Sequence, residues 1–236
     1  MTDINNSGNP KFFGRRVGRK IRVAKTALLK EFLPKVSFEE MSDAKEVFLE
    51  IGFGDGSHLA GLSQKMQNTF FIGAEVFANG VANLLSLMTG VKEGKELPEE
   101  ISLLPTRFDN VRVWSDDVRL LFDKIPDSSL DKIFLLFPDP WPKKRHASRR
   151  FINPENLKEI HRILKPDGLF VVATDHKVYK AWTLREMNKN KNFIWTAKNS
   201  NDWRYAPENW VETKYQKKAI REGRKPVFFI YKKEKV

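Results

Sequence analysis

The stretch LEIGFGDGSHL, residues 49–59, sets Gly52, Gly54 and Gly56 between an apolar run and a segment of helical spacing, with Glu50 two residues before the first glycine. Glycines at a strand-to-helix turn let the chain reverse sharply and let a ligand come close to the backbone. Two ligands of nucleotide type suit such a turn. The dinucleotide fingerprint GxGxxG needs a glycine at 57, but this chain carries Ser57 there and spaces its glycines GxGxG. A carboxylate at Glu50 repels a pyrophosphate and attracts an ammonium. S-adenosylmethionine carries an amino-acid ammonium and no phosphate, so these residues favour it over a nicotinamide dinucleotide. Glu75 follows Gly52 by 23 residues, at the end of a second apolar run. There it is placed to accept hydrogen bonds from two ribose hydroxyls, a geometry common to both ligands. Asp116 follows a third run, NVRVWS, and is placed to accept from the exocyclic amine of adenine. Its neighbour Asp117 equally suits the first turn of a helix, where the dipole favours an acid. The plainer alternative is a structural glycine turn with Glu75 exposed at a strand end.

A second constellation is FPDPWPKKRH, residues 137–146. Pro138, Pro140 and Pro142 each fix their own φ and push the preceding residue toward extended backbone. Asp139 lies between two of them, so one carboxylate is held on a stiff loop, as a preorganised site requires. The competing reading is a rigid loop in which Asp139 only caps a turn. Lys143, Lys144, Arg145, Arg149 and Arg150 follow with no acid among them, a set suited to phosphate oxygens. Trp141 keeps two readings, stacking on a base or packing in the core. His58 and His161 fall in helical segments and read as structural. His176 follows Asp175 at a strand end and is a candidate lining residue.

Charge points toward a polyanionic partner. The formal net charge is +12 and the pI about 9.7. Residues 11–30 hold eight Lys/Arg and no acid, and residues 212–236 hold nine against three Glu. Cysteine is absent, which excludes disulfides and thiolate metal sites. No apolar run approaches the ~18–20 residues of a membrane helix. The N-terminal MTDINNSGNPKFFGRR lacks the apolar stretch of a secretory signal. A cytoplasmic protein is expected, with no membrane partner and no metal. Monomer and homodimer both stay open.

The elements that must position these residues alternate along the chain. Short apolar runs at 47–51, 69–75, 110–115, 131–138 and 169–175 read as strands, and FIWTA and VFFIYKK add two late ones. Between them lie helical patterns at 57–66, 78–89, 153–164 and VYKAWTLREMNKN, with Asn153 as cap and Pro154 in the first turn. Helices alternating with strands imply an α/β fold: a doubly wound, mostly parallel seven-stranded sheet. The late pair, with no clear helix between, implies one antiparallel edge strand. KPDG reads as a turn, and AKTALLKEFLP as a helix that Pro34 stops. Residues 1–23 read as a flexible basic arm, 24–236 as a single domain, and 90–109 as a surface insertion. Ligands of such sheets bind outside the carboxyl ends of the strands, where the glycine turn and the proline loop both fall.

In order over roughly residues 45–235, EIGFGDGSHL, GAEV, PDPWPKKRH, ATD and ETKYQKKAIREG resemble the tRNA (guanine-N7-)-methyltransferase family. The proline-framed motif is the most specific of these. The resemblance implies a class I, Rossmann-like methyltransferase that uses S-adenosylmethionine to methylate N7 of a guanine in the tRNA variable loop, typically guanine 46. It implies that Glu50, Glu75, Asp116 and Asp139 are acids of the cofactor pocket and active site, with Asp139 the catalytic one. It implies substrate-side places for Lys143, Asp175, Thr213, Lys214, Tyr215 and Gln216. Gln216 departs from the Glu usual in the family. The long arm and the insertion also depart from it. A class I methyltransferase acting on another RNA, or on a substrate that is not RNA, is the alternative.

Overall fold

Seven strands form one sheet in the order β3-β2-β1-β4-β5-β7-β6 in the computed structural model, which describes residues 10–234. Residues 1–9 of the expected arm lie outside the described residues. By its contacts the chain divides into two compact units, Gly14–Val118 and Arg119–Val236, the latter with the N-terminal residues through Phe13. No helix among the described residues is long and apolar enough to cross a membrane.

In the first unit the expected helix at 24–34 comes in three pieces. These are α1 (Val23–Ala27), a π turn (Leu28–Phe32) and α2 (Leu33–Val36). Pro34 does not stop it. The π turn shifts the hydrogen-bond ladder so that Pro34 falls in the first turn of α2, where a missing N–H costs nothing. Strand β1 (Glu46–Ile51) leads through the glycine turn into α3 (Ser57–Lys65). Strand β2 (Thr69–Ala74) leads to α4 (Ala78–Thr89), and β3 (Val111–Trp114) follows. The three strands pair in parallel, with Glu50 beside Gly73 and Ala74 beside Trp114. β1 and β2 are buried almost throughout, as strands covered on both faces must be.

The unit boundary falls in α5 (Val118–Leu121). In the second unit lie β4 (Leu130–Leu136), α6 (Pro154–Ile163), β5 (Leu164–Thr174), α7 (Lys177–Lys189) and β6 (Phe193–Trp195). After them come α8 (Asn201–Arg204), α9 (Lys214–Arg221) and β7 (Val227–Lys233). β4 and β5 pair in parallel, while β7 runs antiparallel to both β5 and β6. The antiparallel strand is therefore next to last, and the edge belongs to three-residue β6. KPDG is not a turn between elements. Leu130 pairs with Leu164 and Lys132 with Leu169, so 165–168 bulge out of a strand that has already begun, with Asp167 at φ +64°.

Asn153 caps α6 as its type predicts: its side chain accepts from the Asn156 N–H at 2.9 Å, with Pro154 in the first turn. Asn153→Ala is expected to destabilise the protein by about 1 kcal/mol. In urea unfolding this appears as a lower midpoint with an unchanged slope. An unmoved midpoint would show that the cap contributes nothing.

Candidate active site

The glycine turn, Glu50, Glu75 and Asp116 all belong to the unit Gly14–Val118, at the carboxyl ends of its three parallel strands. Gly52, Gly54 and Gly56 have φ of +67°, +60° and +74°, a backbone that side chains with a Cβ rarely adopt. A Cβ on Gly52 would meet nothing within 4 Å, so this side of the turn is open to a ligand. Across the turn, Gly80 of α4 packs so closely that a Cβ there would lie 2.1 Å from the Gly54 carbonyl oxygen.

Glu75 ties the turn down. One carboxylate oxygen accepts from the Gly54 N–H at 2.8 Å and the other from the Phe77 N–H at 2.9 Å. Burial raises its pKa, against the lowering effect of those amides. A carboxylate has about four acceptor positions, so both oxygens keep room for a ribose hydroxyl. Glu50 is 3% exposed, and its Oε2 lies 2.8 Å from Nδ1 of His58, itself 1% exposed. That partnership was not foreseen. Its signal is a histidine in the first turn after the glycines. Asp116 Oδ1 accepts from the Asp117 N–H at 2.7 Å and from Arg16 Nη1 at 2.8 Å. Arg16 comes from the arm, whose backbone is fastened to α4: Ala78 donates to the Arg16 carbonyl and Gly18 to the Asn79 side chain. Nothing in the sequence announces this contact across 100 residues.

The proline loop leaves β4 in the unit Arg119–Val236. Phe137 donates to the Ala173 carbonyl at 2.7 Å, which holds the loop's start against the end of β5. Asp139 is exposed and has no hydrogen bond or ion pair among the described residues. Lys143, Lys144 and Arg145 are exposed beside it in sequence. Trp141 packs outside the core. The Arg149 guanidinium lies 4.9 Å from its ring centroid and 4.8 Å from that of Phe13, and His146 meets the indole edge-on. Desolvation first, then Arg149, Arg145 and Lys143, lower the His146 pKa. Arg150 differs from its expected place among the phosphate-binding cations. It is 5% exposed, turned inward under the loop, with Trp182 against its guanidinium. Asp175, at the end of β5, is ion-paired with Arg224, which also binds Glu222. His176 caps α7 by accepting from the Val178 N–H.

The comparisons decide what this arrangement belongs to. Residues 44–229 match the family described as "Putative methyltransferase". The tRNA (guanine-N(7)-)-methyltransferase of Chelativorans sp. is 39% identical over 232 residues, covering 93% of this chain and 94% of its own. That of Rhodospirillum rubrum is 38% identical, with 94% and 88% covered. The chain belongs to the tRNA (guanine-N(7)-)-methyltransferase family. Among solved structures, the antibiotic-resistance methyltransferase Kmr superposes with a TM-score of 0.52 at 14% identity, over 93% of this chain and 98% of its own. An antibiotic-related methyltransferase superposes at 0.51 with 18% identity, over 92% and 97%. These two share the fold.

The last motif of the tRNA (guanine-N(7)-)-methyltransferase resemblance divides into two faces of α9. Thr213 and Gln216 turn inward. Thr213 is the N-cap, accepting from the Gln216 N–H at 2.9 Å, and Gln216 Oε1 accepts from the Trp210 indole N–H at 2.6 Å. Lys214 and Tyr215 turn outward, and Lys217, Lys218 and Arg221 extend their exposed face. Trp210 in turn packs edge-on against Phe228 at 5.1 Å. Trp203 stacks on Phe229, so the aromatic stretch 203–210 is anchored to β7 by two of its rings.

Glu75→Ala removes both acceptors that hold the turn. It is expected to cost about 1–3 kcal/mol of stability for each amide left buried without a partner. S-adenosylmethionine affinity is expected to fall at least about tenfold, since each 1.4 kcal/mol is a factor of ten. Calorimetric titration and urea unfolding measure the two, and wild-type affinity would remove Glu75 from the cofactor site.

Proposed function

We propose that the protein transfers the methyl group of S-adenosylmethionine to N7 of a guanine in tRNA, at guanine 46 of the variable loop. The observation that carries this reading is Asp139: an exposed carboxylate with no partner among the described residues, framed by prolines and followed by three exposed cations. Membership of the family supports tRNA as the substrate, and the cytoplasm is the setting that goes with it.

The residues of the first unit fit the cofactor. Glu50 faces the ammonium with the oxygen that His58 leaves, and Glu75 receives the ribose hydroxyls. Asp116 receives the adenine amine. Its pairing with Arg16 is between half-exposed side chains, and such pairs are worth about 0–1 kcal/mol, so a ligand can compete for the carboxylate. S-adenosylmethionine supplies a methyl group already activated on a sulfonium. Guanine supplies a lone pair on N7 that carries no proton at neutral pH. No base is needed to expose it, so the protein's task is alignment.

Asp139 performs the alignment on the substrate side. Guanine presents two parallel donors, N1–H and the N2 amine, and one carboxylate accepts both. Methylation leaves positive charge on the ring, which the same anion stabilises as it forms. The base leaves its stack to reach the loop. Lys143, Lys144 and Arg145 hold the flanking phosphates, and Lys214 and Tyr215 contact the RNA from α9. Asp175 acts on that side by fixing Arg224, while Thr213 and Gln216 shape the segment.

Incubating unmodified tRNA with the protein and cofactor, then mapping N7-methylguanosine by cleavage at the modified base, is expected to give one position, guanine 46. Methylation elsewhere, or only in another RNA, would transfer the reading to that substrate. Asp139→Asn keeps the shape of the side chain and removes its charge. It is expected to lower kcat by well over about tenfold while S-adenosylmethionine affinity stays within a few-fold. Near-normal turnover would sink the role given to Asp139.

A further inference from the structure

Phe137 and Trp141 bracket Asp139, and both have positive φ, +50° and +41°. Bulky residues rarely adopt this backbone, and it persists only where surrounding contacts determine it. Three of the five residues from 138 to 142 are prolines, which donate no backbone N–H. Within 138–142 only Asp139 and Trp141 keep a backbone N–H, so carbonyls are the groups most available to fasten the loop beyond Phe137.

Arg150 provides that hold. Its Nε donates to the Pro140 carbonyl at 3.2 Å and its Nη2 to the Trp141 carbonyl at 2.9 Å. The planar fork thus takes two successive carbonyls directly after Asp139. The guanidinium lies 4.4 Å from the centroid of Trp182, and Arg185 lies 4.2 Å from the same ring. Trp182 is itself fixed by donating its indole N–H to the Ile152 carbonyl at 2.7 Å. Tyr179 of α7 is fully buried nearby. Burial first, with the charge of Asp139 adding to it, raises its pKa, so the phenol stays neutral beside the loop.

We propose that Arg150 is a positioning residue for the reaction: it clamps the Pro140 and Trp141 carbonyls on the Trp182 ring, and so sets the direction of the Asp139 carboxylate rather than binding RNA phosphate. This rests on the tRNA methylation proposed above. Of the neighbouring pair Arg149–Arg150, the first turns outward onto Phe13 and Trp141 and the second turns under the loop. The dipeptide therefore divides its work between surface and support.

The test uses the full-length protein, unmodified tRNA and S-adenosylmethionine. Arg150→Lys keeps the charge and loses the fork. It is expected to lower kcat at saturating tRNA and cofactor by about tenfold or more. tRNA affinity, its salt dependence and S-adenosylmethionine affinity are expected to stay within about threefold, well below the factor of ten that 1.4 kcal/mol represents. Arg150→Gln, which removes the charge as well, tests the alternative: a phosphate contact would give weaker tRNA binding, a salt slope shallower by about one, and unchanged kcat. That result overturns the proposal, as does an unchanged kcat alone. Turnover is counted per cofactor-binding site, so a partly unfolded variant still reports. Should Arg150→Lys fail to fold, Trp182→Leu leaves Arg150 in place without its ring and carries the same expectations at smaller size. Hydrogen exchange at the Arg150 Nε–H tests the clamp without activity: donated to the Pro140 carbonyl, it should exchange at least about tenfold more slowly than the Nε–H of exposed Arg221, and an equal rate overturns the clamp. Absence of N7-methylguanosine with the wild-type protein would remove the functional reading alone, and exchange would still decide the clamp.

Discussion

Parallel pairing within each unit is the constraint from which the placement of the functional residues follows. Parallel strands cannot be joined by tight turns. Each return connection must cross back to the starting edge, usually as a helix. The carboxyl edge is left to the short loops that begin those connections. In Gly14–Val118 this edge carries the glycine turn, Glu75 and Asp116, and in Arg119–Val236 it carries Asp139 and Asp175. Register sharpens the arrangement. Pairing of Ile51 with Ala74 and of Ala74 with Trp114 ends three strands level, so that residues far apart in sequence emerge side by side. Leu136 and Ala173 do the same for β4 and β5.

The acids at these edges are held in different ways. Glu75 is buried and bound at both oxygens by backbone amides, and it helps shape the turn. Glu50 is buried against a histidine, Asp116 is half exposed and paired with an arm arginine, and Asp139 is exposed with none of these supports. Its order comes from the backbone instead, through prolines, two left-handed residues and a guanidinium beneath. A carboxylate that must meet an incoming base is best left with its oxygens unengaged and its main chain immobile.

Much of this was legible in the sequence because local rules dominated it. The glycine triplet with Glu50, the cap at Asn153 and the alternating apolar runs depend on neighbours within a few positions, and helix 78–89 falls where its spacing places it. What escaped depends on distant partners. Pro34 reads as a helix stop unless the π turn before it is known. KPDG reads as a turn because a bulge uses the same residues, and β7 lies inside the sheet because β6 takes the edge. The Arg16–Asp116 pair joins residues 100 apart. Arg149 and Arg150 are chemically the same in a sequence, and the partners that turn one of them inward, Trp182 and the Pro140 and Trp141 carbonyls, come from elsewhere in the chain.

Gln216 carries a consequence of its own. Its side-chain oxygen receives the Trp210 indole N–H, a bond that a carboxylate at the same position would also accept. The other end of the amide differs: Gln216 Nε2 donates to Glu212 Oε1 at 3.5 Å and the residue is buried, so a carboxylate at this position would lose that bond and set a buried charge against a second acid. With the amide, α9 presents Lys214, Lys217, Lys218 and Arg221 with one fewer anion at its first turn. The local potential rises, which favours faster capture of a polyanion at low ionic strength and makes that capture more sensitive to salt. The amide thus spares the buried face of α9 a charge and leaves its exposed face the more positive.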